Sequence, residues 1–253
     1  MILHEVELGD HKEVYIKPIS DTHIGDQGFD EQLLMEDIEW IAEKPNRYAI
    51  LNGDILNTAT TSSVSDTYHN NMTPHEELKY ARKLFKPIAD SIIGVTLGNH
   101  ERRVLRSDGI DLMEELAYSL DSFYNPEGIL LKIKFGKRKM NNKRQVYTIY
   151  QTHGSTGSRT TGGKANRLGK LRNIVLSDIY VVSHTHQKIT FNKNIFVPDL
   201  RNNNIIEKNQ TFVNTGAYLN YGGYGETKNY TPNDKGSPTI KLYAGEKKVE
   251  VIL

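Results

Sequence analysis

The sequence predicts an α/β protein whose buried strands end in polar residues. Short apolar runs at residues 48–51, 92–97 and 179–182 are typical of buried strands, and an amphipathic helical stripe lies between the first two. Directly after the run at 92–97 comes Gly-Asn-His-Glu, residues 98–101, which are poor choices for packing. They suit a polar site at the carboxyl edge of an α/β sheet, where such folds bind ligands.

Composition narrows the class of protein. The chain has 253 residues, of which 37% are hydrophobic and 25% charged, as in a soluble globular protein, and we expect one domain spanning residues 1–253. No run approaches 18 apolar residues, so no membrane span is expected. The first residues lack the pattern of a signal peptide. The sequence contains no cysteine, which excludes disulfides and fits a reducing cytoplasm.

The net charge of +1 hides a strong asymmetry. Residues 128–177 contain twelve Lys or Arg and no Asp or Glu, which leaves 20 basic and 31 acidic residues elsewhere. An acid-free segment of this length indicates a surface for polyanions. The alternative is a basic hairpin and a basic helix face that are simply solvated.

The first strand is predicted at residues 14–19, although Pro18 indicates that its end is an edge or an exit. Asp21 and His23 follow, two residues apart, so in an extended segment their side chains point the same way. One carboxylate oxygen and one imidazole nitrogen can then bind the same metal ion. Alone, this pair would be weak evidence for a metal site.

A second strand repeats the pattern. An apolar helical stripe at residues 33–41, closed by Pro45, leads to the strand at 48–51. This strand runs into Gly53 and Asp54, which again place a carboxylate at the sheet edge. The alternative is an ordinary turn, because Gly-Asp pairs are common in turns.

A long polar loop separates this strand from the next helix. Residues 58–75 are rich in Ser, Thr and Asn without periodicity, and a loop of this length in a compact domain is often a substrate lid. Helical patterns at residues 78–88 and 111–120 flank the strand at 92–97.

The second half of the chain is richer in strands. Residues 129–135 and 146–150 predict a hairpin with a basic turn, and its second arm leads to His153. A Gly-rich loop and a basic helix follow, with Leu168 facing inward. The strand at 179–182 then ends in Ser-His-Thr-His, residues 183–186, which repeats the same-face spacing of the first motif.

Taken in order, these motifs resemble the calcineurin-like metallophosphoesterase superfamily, including its bacterial and phage-type members. Its signature is Asp-x-His, Gly-Asp-x-x-Asp, Gly-Asn-His-Glu/Asp, an isolated His, and Gly-His-x-His. The corresponding residues here are Asp21-Thr22-His23, Gly53-Asp54-Ile55-Leu56-Asn57, Gly98-Asn99-His100-Glu101, His153 and Ser183-His184-Thr185-His186. The departures are Asn57 in place of the second Asp, and Ser183 in place of Gly.

The resemblance implies a four-layer αββα sandwich, with two mixed β-sheets flanked by helices, and a centre for two divalent metal ions. It assigns Asp21, His23 and His186 to the first ion, Asn99, His153 and His184 to the second, and Asp54 to both. Mixed oxygen and nitrogen ligands suit Mn²⁺, which we expect, and also Fe, Zn²⁺ or Ni²⁺.

The resemblance also assigns catalytic and substrate-binding roles. His100 becomes the proton donor to the leaving oxygen, and the orienting Asp of the family is Asn57 here. The Asn57 amide oxygen can still accept a hydrogen bond from the imidazole, but it would not raise the imidazole pKa as a carboxylate does. Arg102 and Arg103 are candidates for contacts with substrate phosphate, and the alternative for both is a solvated helix start.

The predicted function is hydrolysis of phosphoester bonds by attack of a metal-bound hydroxide. The basic segment, with Arg159, Lys164 and Arg167 as candidate substrate contacts, favours a phosphodiesterase or nuclease acting on nucleotides, DNA or RNA. The alternatives are a phosphomonoesterase acting on proteins or small molecules, and a non-catalytic binding module on the same fold. We expect no membrane partner and a bacterial or phage-infected host cytoplasm, and the oligomeric state stays open.

Overall fold

The computed structural model describes residues 1–60, 70–155, 157–222, 226, 231–232 and 234–253. In this part of the chain two β-sheets pack face to face, and helices cover both outer faces. The helices are α1 (Glu31–Ala42), α2 (Pro74–Phe85), α3 (Glu101–Asp108), α4 (Leu112–Ser119) and α5 (Thr161–Gly169), with 3-10 turns at Lys86–Ser91 and Lys170–Asn173. The strands are β1 (Ile2–Glu7), β2 (Glu13–Ile19), β3 (Arg47–Asn52), β4 (Ile92–Thr96), β5 (Ile129–Phe135), β6 (Gln145–Gln151), β7 (Ile179–Val182), β8 (Ile189–Asp199), β9 (Asn204–Asn214), β10 (Thr239–Tyr243) and β11 (Val249–Ile252).

The five-stranded sheet has the order β11-β10-β2-β3-β4, and β2, β3 and β4 run parallel. Ala49, Leu51 and Val95 on its outer face share one apolar core with buried residues of α1 to α4. Because β2 is an internal strand, Pro18 does not mark an edge, and of the two predicted alternatives, an edge or an exit, the exit is the one found. Pairing of β2 with β10 extends only as far as Ile16, so Pro18 lies where the strand leaves that partner.

The six-stranded sheet has the order β1-β5-β6-β7-β9-β8, in which β6, β7 and β9 run parallel. Its inner face packs against the five-stranded sheet in a second apolar core. Its outer face presents Tyr150, Tyr180 and Phe212, which pack against Leu168 of α5. Helices, two sheets and a helix therefore form the four layers of the predicted αββα sandwich, and that prediction is confirmed.

Helices α1 and α2 begin where the sequence supplies N-caps. The Asp30 side chain accepts a hydrogen bond from the backbone N–H of Leu33 at the start of α1. Thr73 and Glu76 form a reciprocal capping box at the start of α2. Because α2 already begins at residue 74, the predicted loop 58–75 ends earlier than expected, and its central part, 61–69, lies outside the described residues.

The predicted hairpin is formed by β5 and β6, and its basic turn lies far from the polar strand ends. Strand β6 runs from the turn at residues 136–144 towards His153, so the turn is at the opposite end of the sheet. Seven residues of strand span about 20 Å. The basic turn and the basic helix α5 therefore do not face one groove.

Two strands were not expected from the sequence. Strand β1 pairs with β5 at the edge of the six-stranded sheet, and β8 pairs with β9 along eleven residues. The outer part of this β8–β9 ribbon exposes Phe196 and Ile205. The predicted basic helix is α5, which ends at Gly169. Among the described helices, none is long and apolar enough to span a membrane.

Candidate metal centre

The predicted donor side chains meet at the carboxyl ends of the parallel strands in both sheets. Asp21 follows β2, Asp54 follows β3, Asn99 follows β4 and His153 follows β6. His184 and His186 follow β7, and His23 completes the segment after β2. Because the two sheets pack face to face, these ends form one polar edge. The site is thus built across both sheets.

Five of the seven donors lie on a backbone in the left-handed region. The φ angles are 50° at Asp21, 47° at His23, 51° at Asp54, 71° at His184 and 52° at His186. For residues with a Cβ this conformation costs of order 1–3 kcal/mol each, and such residues cluster at functional sites. The chain turns sharply after each strand, and the turn directs the donors towards a common point.

The first cluster contains Asp21, His23 and His186, whose candidate ligand atoms lie within 4.8 Å of one another. His186 Nε2 is 3.1 Å from Asp21 Oδ1 and 3.3 Å from His23 Nε2. His23 is buried, and burial is the main reason why its pKa lies well below the usual value. A neutral imidazole is the form that binds a metal.

The two oxygens of Asp21 have different environments. Oδ2 accepts hydrogen bonds from Ser20 Oγ at 2.9 Å and from the backbone N–H of His184 at 3.1 Å. Among the described residues none donates a well-aligned hydrogen bond to Oδ1, although it is fully buried. Burial opposes ionisation, but the field of His186 is stronger and lowers the Asp21 pKa to about 2. A buried, charged oxygen without a donor fits a metal ligand.

The second cluster contains Asp54, His153 and His184, again within 4.8 Å. His153 Nε2 lies 3.1 Å from Asp54 Oδ2 and 3.1 Å from the side-chain oxygen of Asn99. His153 Nδ1 lies 2.8 Å from the carbonyl oxygen of Asn52, which can only accept, so Nδ1 donates and Nε2 faces the cluster. Burial opposes protonation of His153, but the carboxylates of Asp54 and Asp21 raise its pKa to about 10.

His100 lies beside the clusters. Its Nε2 is 4.0 Å from Asp54 Oδ2, and it forms a third possible donor group with Asp54 and His23. Its Nδ1 lies 2.9 Å from the backbone carbonyl oxygen of Asn57. The sequence interpretation assigned this role to the Asn57 side chain, and that assignment is wrong. The Asn57 side-chain amide donates instead to Asn70 Oδ1 at 2.9 Å.

Two buried residues hold the site together, and the sequence interpretation gave neither a role. Glu101 accepts hydrogen bonds from the backbone N–H groups of Asp54 and Gly98 at 3.1 Å and of Leu56 at 2.9 Å. A Cβ added at Gly98 would lie 2.1 Å from the backbone nitrogen of Asp54, which explains the glycine in this motif. Burial raises the pKa of Glu101 to about 8.

Asn52 is the second of these residues. Its side-chain amide donates to the carbonyl oxygen of Thr152 at 2.9 Å and to Ser183 Oγ at 2.7 Å, and its Oδ1 accepts from Thr96 Oγ1 at 3.0 Å. Asn52 thereby ties β3 and β4 to the ends of β6 and β7. The serine that replaces the glycine of the family signature at position 183 supplies one of these contacts.

The two arginines predicted to contact substrate phosphate, Arg102 and Arg103, lie in different surroundings. Arg102 donates to Glu127 Oε1 at 3.1 Å and to the carbonyl oxygen of Pro126 at 2.9 Å. Burial lowers the pKa of Arg103, against the fields of the Asp54, Glu101 and Glu77 carboxylates. Arg103 therefore lies close to the second cluster, whereas Arg102 is bound to the loop before β5.

Helix α5 contacts both histidine loops. Lys164 Nζ donates to the carbonyl oxygen of Thr185, between the two last histidines, at 3.1 Å. Arg167 Nε donates to the carbonyl oxygen of Ser155 at 3.2 Å. Arg159 precedes the helix and is exposed. The basic turn of the hairpin differs, since Lys137 and Arg144 pair with the Asp10 carboxylate.

Three solved structures are among those similar to this chain. A conserved uncharacterized protein from Streptococcus pneumoniae, described as a predicted phosphoesterase, has 15% identity and a TM-score of 0.41, covering 94% of this chain and 88% of that one. A metallophosphoesterase from Sphaerobacter thermophilus has 14% identity and a TM-score of 0.40, covering 95% and 88%. A double mutant of Vps29 from Entamoeba histolytica has 14% identity and a TM-score of 0.34, covering 80% and 97%. No curated protein matches the sequence.

The sequence pattern of one family covers most of the chain. The calcineurin-like phosphoesterase pattern matches residues 16–213, a span that begins in β2 and ends in β9. It includes every strand whose carboxyl end carries a predicted donor. Members of this family are metal-dependent phosphoester hydrolases that generally bind two divalent metal ions. The matched span and the histidine and aspartate clusters within it place this chain in the calcineurin-like phosphoesterase family.

Proposed function

We propose that this chain hydrolyses phosphodiester bonds, as a phosphodiesterase or nuclease, with two bound divalent cations. The observation that carries the proposal is the meeting of seven donor side chains at one polar edge, where no described residue donates a well-aligned hydrogen bond to the buried Oδ1 of Asp21. The first ion would be held by Asp21, His23 and His186, the second by Asn99, His153 and His184, and both by Asp54. Mn²⁺ is the metal we propose, and Fe, Zn²⁺ or Ni²⁺ suit the same donors.

The protein and its ions would share the chemistry. Two such ions supply an acidified water molecule and neutralise charge on phosphate oxygens. His100 would give a proton to the leaving oxygen, because its Nε2 faces Asp54 while Nδ1 is held by a carbonyl oxygen. Since Nδ1 already carries a hydrogen, the ring must be doubly protonated before it can donate from Nε2.

The charges around the site favour a diester over a monoester. A phosphodiester carries one negative charge, whereas a monoester carries almost two at neutral pH, because its second pKa is about 6. Arg102 forms an ion pair with Glu127, and Arg103 lies in the field of three carboxylates. Both would therefore contribute less to binding a doubly charged group than free cations would.

The charges of α5 favour a nucleic acid among the diesters. Lys164 and Arg167 donate to neutral carbonyl oxygens, which do not neutralise their positive charges, and the Asp234 carboxylate is close enough to act on Lys164. Both lie beside the loops that carry His153, His184 and His186. A backbone of linked phosphates that enters the site along α5 would meet these charges.

The test is a substrate screen with protein reconstituted with Mn²⁺. The substrates are bis-p-nitrophenyl phosphate, p-nitrophenyl phosphate, single- and double-stranded DNA, and RNA. We expect the diesters and at least one nucleic acid to be hydrolysed faster than the monoester. Faster turnover of the monoester would replace the proposal with a phosphomonoesterase. Binding of two ions without turnover of any substrate would point to a binding module.

A further inference from the structure

Glu77 of α2 is a fully buried carboxylate that belongs to none of the donor clusters. Its Oε2 accepts a hydrogen bond from the backbone N–H of Thr58 at 2.8 Å, and its Oε1 accepts one from Asn70 Nδ2 at 2.8 Å. The backbone N–H of Asn57 instead donates to the carbonyl oxygen of Ile24 at 3.0 Å. One carboxylate thus binds two segments that are distant in sequence, at residues 57–58 and at residue 70.

The first of these segments, residues 57–58, holds His100. The carbonyl oxygen of Asn57 accepts from His100 Nδ1 at 2.9 Å, and Thr58 Oγ1 donates to the carbonyl oxygen of His100 at 2.6 Å. The Asn57 carbonyl and the Thr58 N–H belong to one peptide unit, so the Thr58 N–H bond to Glu77 fixes the unit that holds the ring of His100. The ring also packs edge-on against the His23 ring, with the centroids 4.3 Å apart.

Asn70 closes the network. It donates to Glu77 and accepts from Asn57 Nδ2 at 2.9 Å. An Asp at position 57 would lose that donor and would place a second carboxylate beside Glu77. The replacement of the family Asp by Asn57 and the presence of a buried carboxylate at position 77 are therefore physically linked.

We propose that Glu77 is a positioning residue, which fixes the His100 imidazole through Asn57 and Thr58 with Nδ1 on the Asn57 carbonyl and Nε2 towards the metal centre. The function of this arrangement rests on the proposed phosphodiesterase reaction, whereas the arrangement itself can be measured without it. The Asn57 backbone carbonyl, anchored by the Glu77 carboxylate, would here accept the Nδ1–H bond of His100 in place of a side-chain carboxylate on residue 57.

The first measurement is the tautomer of His100, read from the ¹⁵N shifts of its ring in metal-free protein. We expect the Nδ1–H tautomer in wild type and in Glu77→Gln, which keeps an acceptor oxygen, and a mixture of tautomers in Glu77→Ala. Glu76→Ala is the matched control, because Glu76 is an exposed neighbour that caps α2 without contacting residues 57–58. If Glu77→Ala does not fold, Asn70→Ala replaces it. An unchanged His100 tautomer in the folded variant would overturn the proposal.

The second measurement, kcat for diesters with different leaving groups together with the metal content, separates a positioning role of Glu77 from a general loss of structure. Misplacing a catalytic group by about 1 Å can cost roughly 10²-fold in rate. In Glu77→Ala we expect a loss of 10- to 100-fold in kcat for diesters with poor leaving groups, a smaller loss for good leaving groups, and two bound ions as in wild type. Equal losses for all leaving groups, together with lost metal, would show a merely structural role and overturn the proposal. If wild type hydrolyses no phosphoester, the proposed function fails, and the tautomer still decides the role of Glu77.

Discussion

His153 Nε2 lies 3.1 Å from Oδ2 of Asp54, and this contact joins the polar ends of the two sheets. His153 follows β6 in the six-stranded sheet, whereas Asp54 follows β3 in the five-stranded one. The other Asp54 oxygen accepts from the backbone N–H of His100 at 2.8 Å. Asp54 is therefore the residue around which both clusters are arranged.

Replacement of Asp54 by Ala should abolish binding of both metal ions, because a shared carboxylate holds the pair together. We expect about two Mn²⁺ ions per chain in wild type and fewer than about half an ion in Asp54→Ala, measured by elemental analysis after reconstitution and desalting. His11→Ala is the control, since His11 lies between β1 and β2, away from the clusters, and should keep both ions. Retention of one tightly bound ion by Asp54→Ala would contradict the shared role.

The position of the site was predictable because it depends on short-range patterns. Buried strands such as β3 and β7 are visible as apolar runs, and the donors follow them directly. Once parallel strands are inferred, their carboxyl ends must meet. Strand β1 was not visible in this way, because it lies at a sheet edge with four of its six side chains exposed and no apolar run.

The contacts that support the donors were not predictable, because they depend on the packed fold. The prediction that the Asn57 side chain holds His100 followed the family pattern, yet the Asn57 backbone carbonyl holds it. We attribute this difference to Glu77 of α2, which binds the same peptide unit through the Thr58 N–H. Likewise Glu101 stands next to His100 in sequence, but only the structure shows that it binds the turn after β3. The separation of the basic turn from the basic helix α5 also depends on the fold, because β6 runs between them and places them at opposite ends of the six-stranded sheet.

Replacement of His100 by Ala should leave the metal content unchanged and reduce the rate. Loss of a general acid costs roughly 10²–10⁴-fold, and the loss should shrink for leaving groups that need little protonation. The measurement is kcat for a series of aryl diesters with different leaving-group pKa values. The control is His75→Ala, at the start of α2. A His100→Ala enzyme that hydrolyses poor leaving groups at the normal rate would remove His100 from the reaction.

The stability of the protein should depend on pH through Glu77. Burial raises the pKa of Glu77 to about 7 from an ordinary value of 4.5, so the folded chain binds this proton more tightly than the unfolded chain does. The stabilisation is complete below about pH 4.5 and is lost as the pH rises towards 7, at up to about 1.4 kcal/mol per pH unit. Glu77→Gln has no proton to lose, so its stability relative to wild type should rise over this range.

The measurement is the urea midpoint of metal-free wild type and Glu77→Gln from pH 4.5 to 8.5. Other titrating groups are shared by the two proteins, so the difference between the curves isolates Glu77. Glu76→Gln serves as the control, because Glu76 is exposed and its hydrogen bonds to Thr73 lower its pKa. Parallel curves for wild type and Glu77→Gln would show that Glu77 keeps an ordinary pKa.

Removal of the charges on α5 should affect long substrates more than short ones. Arg159, Lys164 and Arg167, all changed to Ala, would remove three positive charges beside the histidine loops. Each phosphate neutralised contributes about 0.7–0.9 to the slope of log affinity against log salt. We therefore expect weaker binding of an oligonucleotide, with a smaller salt dependence, and a rate on bis-p-nitrophenyl phosphate within a few-fold of wild type.

The matched control removes the same charge at the other end of the six-stranded sheet. Lys137, Lys139 and Lys143, all changed to Ala, lie in the hairpin turn, where Lys137 is already paired with Asp10. This variant should bind and cleave the oligonucleotide like wild type, because its cations are about 20 Å of strand away from the donors. Metal content must be measured in both variants, since Lys164 also supports the loop between His184 and His186. If both triple variants lose the same affinity, the attraction comes from overall charge, and a path along α5 is excluded. If neither changes oligonucleotide cleavage, the substrate is a small phosphoester that does not reach α5.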